Sequence, residues 1–326
     1  MANRLITLDI AKTICIILVV IGHYHPENSP TWFSSIRDII YSFHMPLFMF
    51  ASGYIYISTL LAKNTYMEFI LKKVRRLLVP YFTTSILIIS LKLISQENMY
   101  IENPTSYLSY FKMLYSPEAG YFLWFIWALF LMFVTISFFK TKSSRIKLFI
   151  ASIIIHFMDL NITDIFCINQ FLGMLVYFML GVVIAENKEK LKVLAINKIL
   201  VTVMFILSEY LYLFKTGNFI DSIVTFTVPF IGIYFVYIIS DYLASKRISG
   251  LFLALSSSSY IIYLLHTTFQ GLTKALILKI HPVYNNQLEF TLAALIIMMM
   301  GILMPILVNK YIINKYKITK ILFGLK

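Results

Sequence analysis

The chain has 326 residues, of which 60% are hydrophobic and only 13% charged, with a net charge of +13 and a mean hydropathy of +0.81. Soluble domains run at roughly 45–50% apolar and about 25% charged, so a water-facing globule and a disordered chain are both excluded. An outer-membrane barrel is excluded as well, because its strands alternate apolar and polar residues and this chain carries continuous apolar runs. The composition predicts an all-α integral membrane protein.

A helix needs about 20 mainly apolar residues to cross the hydrocarbon. In chain order the predicted spans are residues 5–22, 39–60, 77–95, 121–139, 146–158, 165–185, 199–214, 219–240, 250–271 and 288–309. The fifth is short. The first could pass for a secretion signal, but Asp9 and Lys12 lie within it. It also runs into Gly22-His23-Tyr24-His25-Pro26 without a small-residue cleavage site, so it is expected to stay as an anchor.

Orientation follows from the basic residues of the loops. One side collects Arg4; Lys63, Lys72, Lys73, Arg75 and Arg76; Lys140, Lys142, Arg145 and Lys147; Lys188, Lys190, Lys192 and Lys198; Lys246 and Arg247; and Lys310, Lys315, Lys317, Lys320 and Lys326. The other side has Arg37, Lys112, Lys215, Lys274 and Lys279. This split of 21 to 5 over alternating loops predicts both termini in the cytoplasm. Lys92 lies within a span and is expected to snorkel outward. With no internal repeat and no long linker, one transmembrane domain over residues 1–326 is expected. Clusters between apolar runs, rather than a basic stripe with stacking aromatics, argue against a nucleic-acid partner.

Ionisable groups within spans are costly and mark functional sites. His23 ends the first span on the outer side, His44 lies near the outer start of the second, and His266 lies in the outer third of the ninth. Three histidines from separate helices at one depth predict a shared polar cavity. Lys12 precedes His23 by eleven residues, about three turns, so the two share a face roughly 16 Å apart in height. Asp9 extends that face inward, where it also suits an ion pair with Lys12. Lys72, Lys73, Arg75 and Arg76 precede the third span and suit either a topological anchor or a polyanion such as a nucleotide phosphate. Glu209 and Asp221 flank the outer ends of the seventh and eighth spans and are expected as solvated rim charges. Trp32, Trp124, Trp127 and Tyr121 lie near the external side, where interfacial belts collect such rings. Cys15 and Cys167 sit inside apolar runs and define neither a disulfide framework nor a metal site.

These residues resemble a family. The string Leu8-Asp9-Ile10-Ala11-Lys12, ending in Val19-Val20-Ile21-Gly22-His23, is similar to the first-helix signature of the bacterial membrane acyltransferase-3 family. Phe43-His44-Met45-Pro46-Leu47-Phe48 with Ser52-Gly53-Tyr54 resembles its second-helix signature, and the Lys73–Tyr81 stretch its basic segment ending in Pro-Tyr. Trp124-Phe125, and Ser256 through Tyr260-Ile261-Ile262-Tyr263-Leu264-Leu265-His266, match later motifs. The resemblance implies acyl transfer, most often acetyl, from acyl-coenzyme A to a carbohydrate hydroxyl at the inner (plasma) membrane. It implies His23 as the catalytic histidine and Lys12 as its partner cation, where many members have arginine. The paired-cation motif falls on Lys72/Arg75 or Lys73/Arg76. The esterase-like domain of some members is not expected in this single-domain chain.

Residues and resemblance join in one expected scheme. The cytoplasmic cations Lys12, Lys72, Lys73, Arg75 and Arg76 hold acetyl-CoA or another acyl-CoA, whose pantetheine arm rises beside the first helix. His23 acts as general base on a sugar hydroxyl, an imidazole being suited to this by an ordinary pKa near 6.5. An acyl-His23 intermediate is the alternative route. Oxyanion donors are expected from His44, Tyr263 or a backbone amide. Trp124, Tyr263 and His266 are expected at the acceptor site, and no metal is required. The lipid bilayer is the surrounding partner, and a homo-oligomer is compatible with it. The competing class is a polysaccharide or small-molecule transporter or exporter, against which stand the absence of a repeat pair and of a nucleotide-hydrolysing motif.

Overall fold

The computed structural model describes residues 6–26, 29–59, 65–97, 101, 103–191, 197–215, 217, 219–280, 284 and 286–325. Leu5 and Leu60, expected as span ends, and the loop cations Arg4, Lys63, Lys192 and Lys326 lie outside the described residues, as do the side chains of Lys188 and Lys190. Among the described residues the chain is helical and has no strand. The helices are α1 (Ile6–His23), α2 (Thr31–Thr59), α3 (Tyr66–Lys73), α4 (Val79–Ser95), α5 (Ser109–Lys112), α6 (Trp124–Phe138), α7 (Lys142–Phe157), α8 (Ile168–Leu191), α9 (Lys198–Leu213), α10 (Phe219–Ala244), α11 (Ser249–Ile280), α12 (Gln287–Val308) and α13 (Lys317–Leu322).

Seven helical stretches are long and apolar enough to cross a membrane: Ile6–His23, Tyr66–Ser95, Tyr121–Phe138, Ile165–Asn187, Ile220–Ala244, Ser249–Ile280 and Gln287–Ile313. The other three expected spans fall on α2, α7 and α9. Helix α2 has 29 residues, but His44, Pro46 and several tyrosines dilute its apolar character. Helices α7 and α9 have 16 residues each, below the usual crossing length.

The third span differs from expectation in an instructive way. The basic segment is no loop before a helix: α3, a π-helical turn (Val74–Leu78) and α4 run on as one helix from Tyr66 to Ser95. Thr65 and Glu68 cap its start reciprocally, hydroxyl to backbone and carboxylate to backbone, at 3.3 and 3.0 Å. Pro80 lacks the N–H that an α-helix would use four residues back, and the π turn just before it accommodates the break in the ladder. The arginines therefore sit mid-helix.

Helix α1 is the axis of the fold. Ile10, Cys15, Val19 and Val20 are completely buried, as a helix apolar on most of its circumference must be, and α2, α10, α11 and α12 pack around it. Polar ties fix its height against α2 and α11, the two helices that carry His44 and His266. The Cys15 thiol donates to the His44 carbonyl of α2 at 3.0 Å. The Thr13 hydroxyl lies 2.8 Å from the Phe252 carbonyl of α11, and the Gln270 amide of α11 donates to the Val20 carbonyl at 2.7 Å. Helix α2 is held from behind by α8, where Gly53 and Gly181 let the backbones touch. A Cβ on Gly53 would fall onto the Phe178 carbonyl, and one on Gly181 onto the Phe50 carbonyl.

Both cysteines are buried and unpaired, as expected of core residues. Lys92 reaches the Asn103 carbonyl at 3.0 Å. Two expectations fail. Trp127 is no belt residue: it is buried in the core, with its ring against Tyr81 and Phe166. Glu209 is no solvated rim charge but is 4% exposed in the α9–α2 contact, where its Oε1 lies 2.7 Å from the Ser42 hydroxyl. Sequence counting placed it at a span end; the crossing of α9 over α2 covers it.

Candidate active site

The C-terminal end of α1 and the middles of α2 and α11 bring His23, His44 and His266 into one cluster. The His23 and His266 rings meet edge to face, with centroids 5.0 Å apart and planes at 78°. Tyr41 links the third histidine to them: its ring centroid is 4.8 Å from that of His44 and 6.1 Å from that of His23. Phe122, just before α6, closes another side, 6.1 Å from His23 and 5.3 Å from His266.

Each histidine is oriented by its own helix. The Nδ1 atoms lie 2.8 Å from Val19 O (His23), 2.7 Å from Ile40 O (His44) and 2.8 Å from Tyr263 O (His266). A carbonyl oxygen only accepts, so each Nδ1 carries the hydrogen and each neutral ring keeps its lone pair on Nε2. The cluster is thus a set of hydrogen-bond acceptors and potential bases. His266 is completely buried and its Nε2 has no protein partner.

Below the cluster a cavity of about 470 Å³ lies against the N-terminal half of α1. Asp9, Lys12 and Lys73 line it together with Ser52, Ser256, Tyr260, Tyr263, Phe125 and Phe133. Lys12 and Asp9 form the ion pair anticipated for this face, at 3.3 Å, and both project into the cavity. The Lys73 ammonium lies 3.3 Å from the centroid of the Phe133 ring. Of the four cations in the basic segment, Lys73 alone among the described residues lines the cavity. Lys72, Arg75 and Arg76 are exposed on the helix surface. The helix is continuous here, so its four cations spread around the circumference.

Tyr263 and Phe122 stand between the cavity and the histidines. The Tyr263 hydroxyl donates to the Phe122 carbonyl at 2.5 Å, and the Phe122 ring packs on both His23 and His266. In this arrangement neither Tyr263 nor neutral His44 has a hydrogen left for an oxyanion. Trp124 stands apart from the histidines, its ring packed on Phe125, which packs in turn on Tyr263.

Sequence reasoning passed over Tyr41 and Arg37. The Arg37 guanidinium lies 5.0 Å from the Tyr41 ring centroid, and its Nε is buried without a protein partner. The signal was present: residues 37, 41 and 44 are spaced i, i+4, i+7 and share one face of α2. Counting Arg37 only as a loop charge concealed it.

The molecule thus combines a helical, membrane-type architecture with an imidazole cluster above a cation-lined cavity. Comparison with known families agrees: a family model described as an acyltransferase domain matches residues 5–309. The chain belongs to this acyltransferase-3 family. It is similar to Nodulation protein NolL of Mesorhizobium japonicum, 33% identical over 155 residues, which are 46% of this chain and 39% of that protein. It is also similar to Nodulation protein NolL of Sinorhizobium fredii, 30% identical over 195 residues, covering 58% of this chain and 50% of that protein. The matched region thus spans half or less of each of these curated relatives. No solved structure matches the chain.

Proposed function

We propose that the protein is a multi-pass O-acyltransferase, foremost an O-acetyltransferase, of the bacterial inner membrane. In this reading it is one transmembrane domain with ten spans and both termini in the cytoplasm. It moves an acyl group from cytoplasmic acyl-CoA to a hydroxyl of a sugar or polysaccharide at the outer side. The observation that carries the reading is the vertical arrangement on α1: His23, with its Nε2 lone pair, lies eleven residues above Lys12, which lines the cavity with Lys73. That spacing is a rise of roughly 16 Å along the helix, a distance much of which an extended pantetheine arm bridges.

The chemistry requires few groups. The acceptor hydroxyl donates to His23 Nε2, and its oxygen attacks the thioester carbonyl carbon as His23 takes the proton. The tetrahedral adduct collapses with cleavage of the carbon–sulfur bond. The proton on His23 passes to the departing thiolate, which leaves an ester, free coenzyme A and a neutral imidazole. His44 and His266 offer Nε2 acceptors to neighbouring hydroxyls of the sugar. Lys12 and Lys73 hold the donor from the cavity, and Lys72, Arg75 and Arg76 extend the positive surface outside it for the nucleotide phosphates. The Phe122–Tyr263 pair separates the cavity from His23 in this conformation, so entry of the thioester displaces it.

The test is acyl-CoA turnover by the purified protein with carbohydrate acceptors. Acceptor-dependent release of free coenzyme A thiol supports the reading. Transport of a sugar without consumption of acyl-CoA would instead make the protein a carrier.

A further inference from the structure

We infer that the acceptor is anionic, and that Arg37 binds its carboxylate or phosphate group beside the hydroxyl to be acylated. This rests on the acyl-transfer reading of the histidine cluster and adds the chemical class of the acceptor.

Arg37 is the one arginine among the five basic residues that the loop pattern puts on the outer side, where basic residues are disfavoured. It is half-buried, its Nε is enclosed without a partner, and it makes no ion pair among the described residues. The residue that orients it is Tyr41, whose ring centroid lies 5.0 Å from its Cζ and whose hydroxyl also interacts with the guanidinium; that ring packs on His23 and His44. A guanidinium carries five donors in a planar fork suited to oxyanions, and an enclosed donor left unpaired is costly. An anionic group on a bound ligand satisfies both.

Position separates this role from binding of the donor or of the reaction's oxyanion. Arg37 precedes His44 by seven residues, roughly 10 Å along α2, on the side away from the cavity that contains Lys12 and Lys73. The thioester approaches the histidines from the cavity, so Arg37 faces the acceptor. The Nε2 lone pairs of the histidine cluster accept hydroxyl hydrogens and give a carboxylate nothing to bond. The cluster therefore divides the acceptor into a hydroxyl-bearing part at His23 and a charged part at Arg37.

The experiment compares three short glucose oligosaccharides as acceptors for labelled acetyl-CoA with the purified protein: neutral, oxidised to uronate, and phosphorylated. The wild type should favour an anionic acceptor by about tenfold or more in kcat/KM, whichever of the two anions it takes. In Arg37→Gln that preference should disappear through KM for the acceptor, with KM for acetyl-CoA unchanged, and Arg37→Lys should retain part of it. A wild-type preference for the neutral sugar overturns the proposal. So does an Arg37→Gln loss that is equal on all three acceptors or lies in kcat, which would place the guanidinium at the reacting centre. If the variants do not fold, the wild-type preference and its loss at high salt decide. If none of the three is acylated, the same panel is run as inhibitors of acetyl-CoA hydrolysis, where the anionic members should inhibit and equal inhibition by all contradicts the proposal. Absence of any acetyl-CoA consumption by the wild type would instead remove the acyl-transfer reading itself.

Discussion

His23 and His266 pack ring against ring, with centroids 5.0 Å apart, although 243 positions of sequence separate them. His266 is completely buried behind this contact, and its Nε2 has no other protein partner. The pair places two imidazoles, each with its Nδ1 on a backbone carbonyl, at the C-terminal end of the central helix. Everything proposed for the chemistry depends on this placement.

Replacing His23 with alanine should lower acyl transfer by at least about a hundredfold, the lower range for loss of a general base. Affinity for coenzyme A, measured by calorimetry, should stay within about twofold, because the cavity below is lined by other residues. Near-normal turnover in the purified variant would remove the general-base role.

The basic segment should divide by position rather than by charge. Lys73→Gln should weaken coenzyme A binding by about tenfold, in line with the loss of one hydrogen bond to a charged group. Lys72→Gln should weaken it by only about threefold or less, since Lys72 contributes from the exposed face outside the cavity. Equal losses in the two variants would mean that the cavity is not the donor site.

The crossing of α2 and α8 should be intolerant of size. Gly53→Leu forces a side chain into the Phe178 carbonyl and should abolish a monodisperse peak on size-exclusion chromatography. Gly173→Ala, on the same helix as Gly181 but with nothing within 4 Å of the added carbon, should behave as wild type. A stable Gly53→Leu protein would contradict the packing that holds His44 in place.

Much of this site was legible from the sequence because membrane topology converts position into depth. His23, His44 and His266 could be placed at one level before any packing was known, and Lys12 could be placed three turns below. What depth does not give is azimuth. The ring contact between His23 and His266, the insertion of Phe122 between them and Tyr263, and the covering of Glu209 by the α9–α2 crossing depend on how helices rotate against one another. The basic segment was misread for a local reason. Four cations followed by Pro80 mark a boundary in most helices, but here a π turn absorbs the missing donor and the helix continues. Arg37 and Tyr41 were readable through their spacing from His44, but Arg37 was counted only as an outer charge and Tyr41 was not singled out.

The most direct test of the account uses proteoliposomes with the protein in one defined orientation. Labelled acetyl-CoA is supplied on one side and a membrane-impermeant sugar acceptor on the other. The account predicts label in the acceptor only when acetyl-CoA is on the side of Lys12 and Lys73 and the acceptor on the side of His23. Label appearing only when both substrates share the side of Lys12 and Lys73 would contradict it.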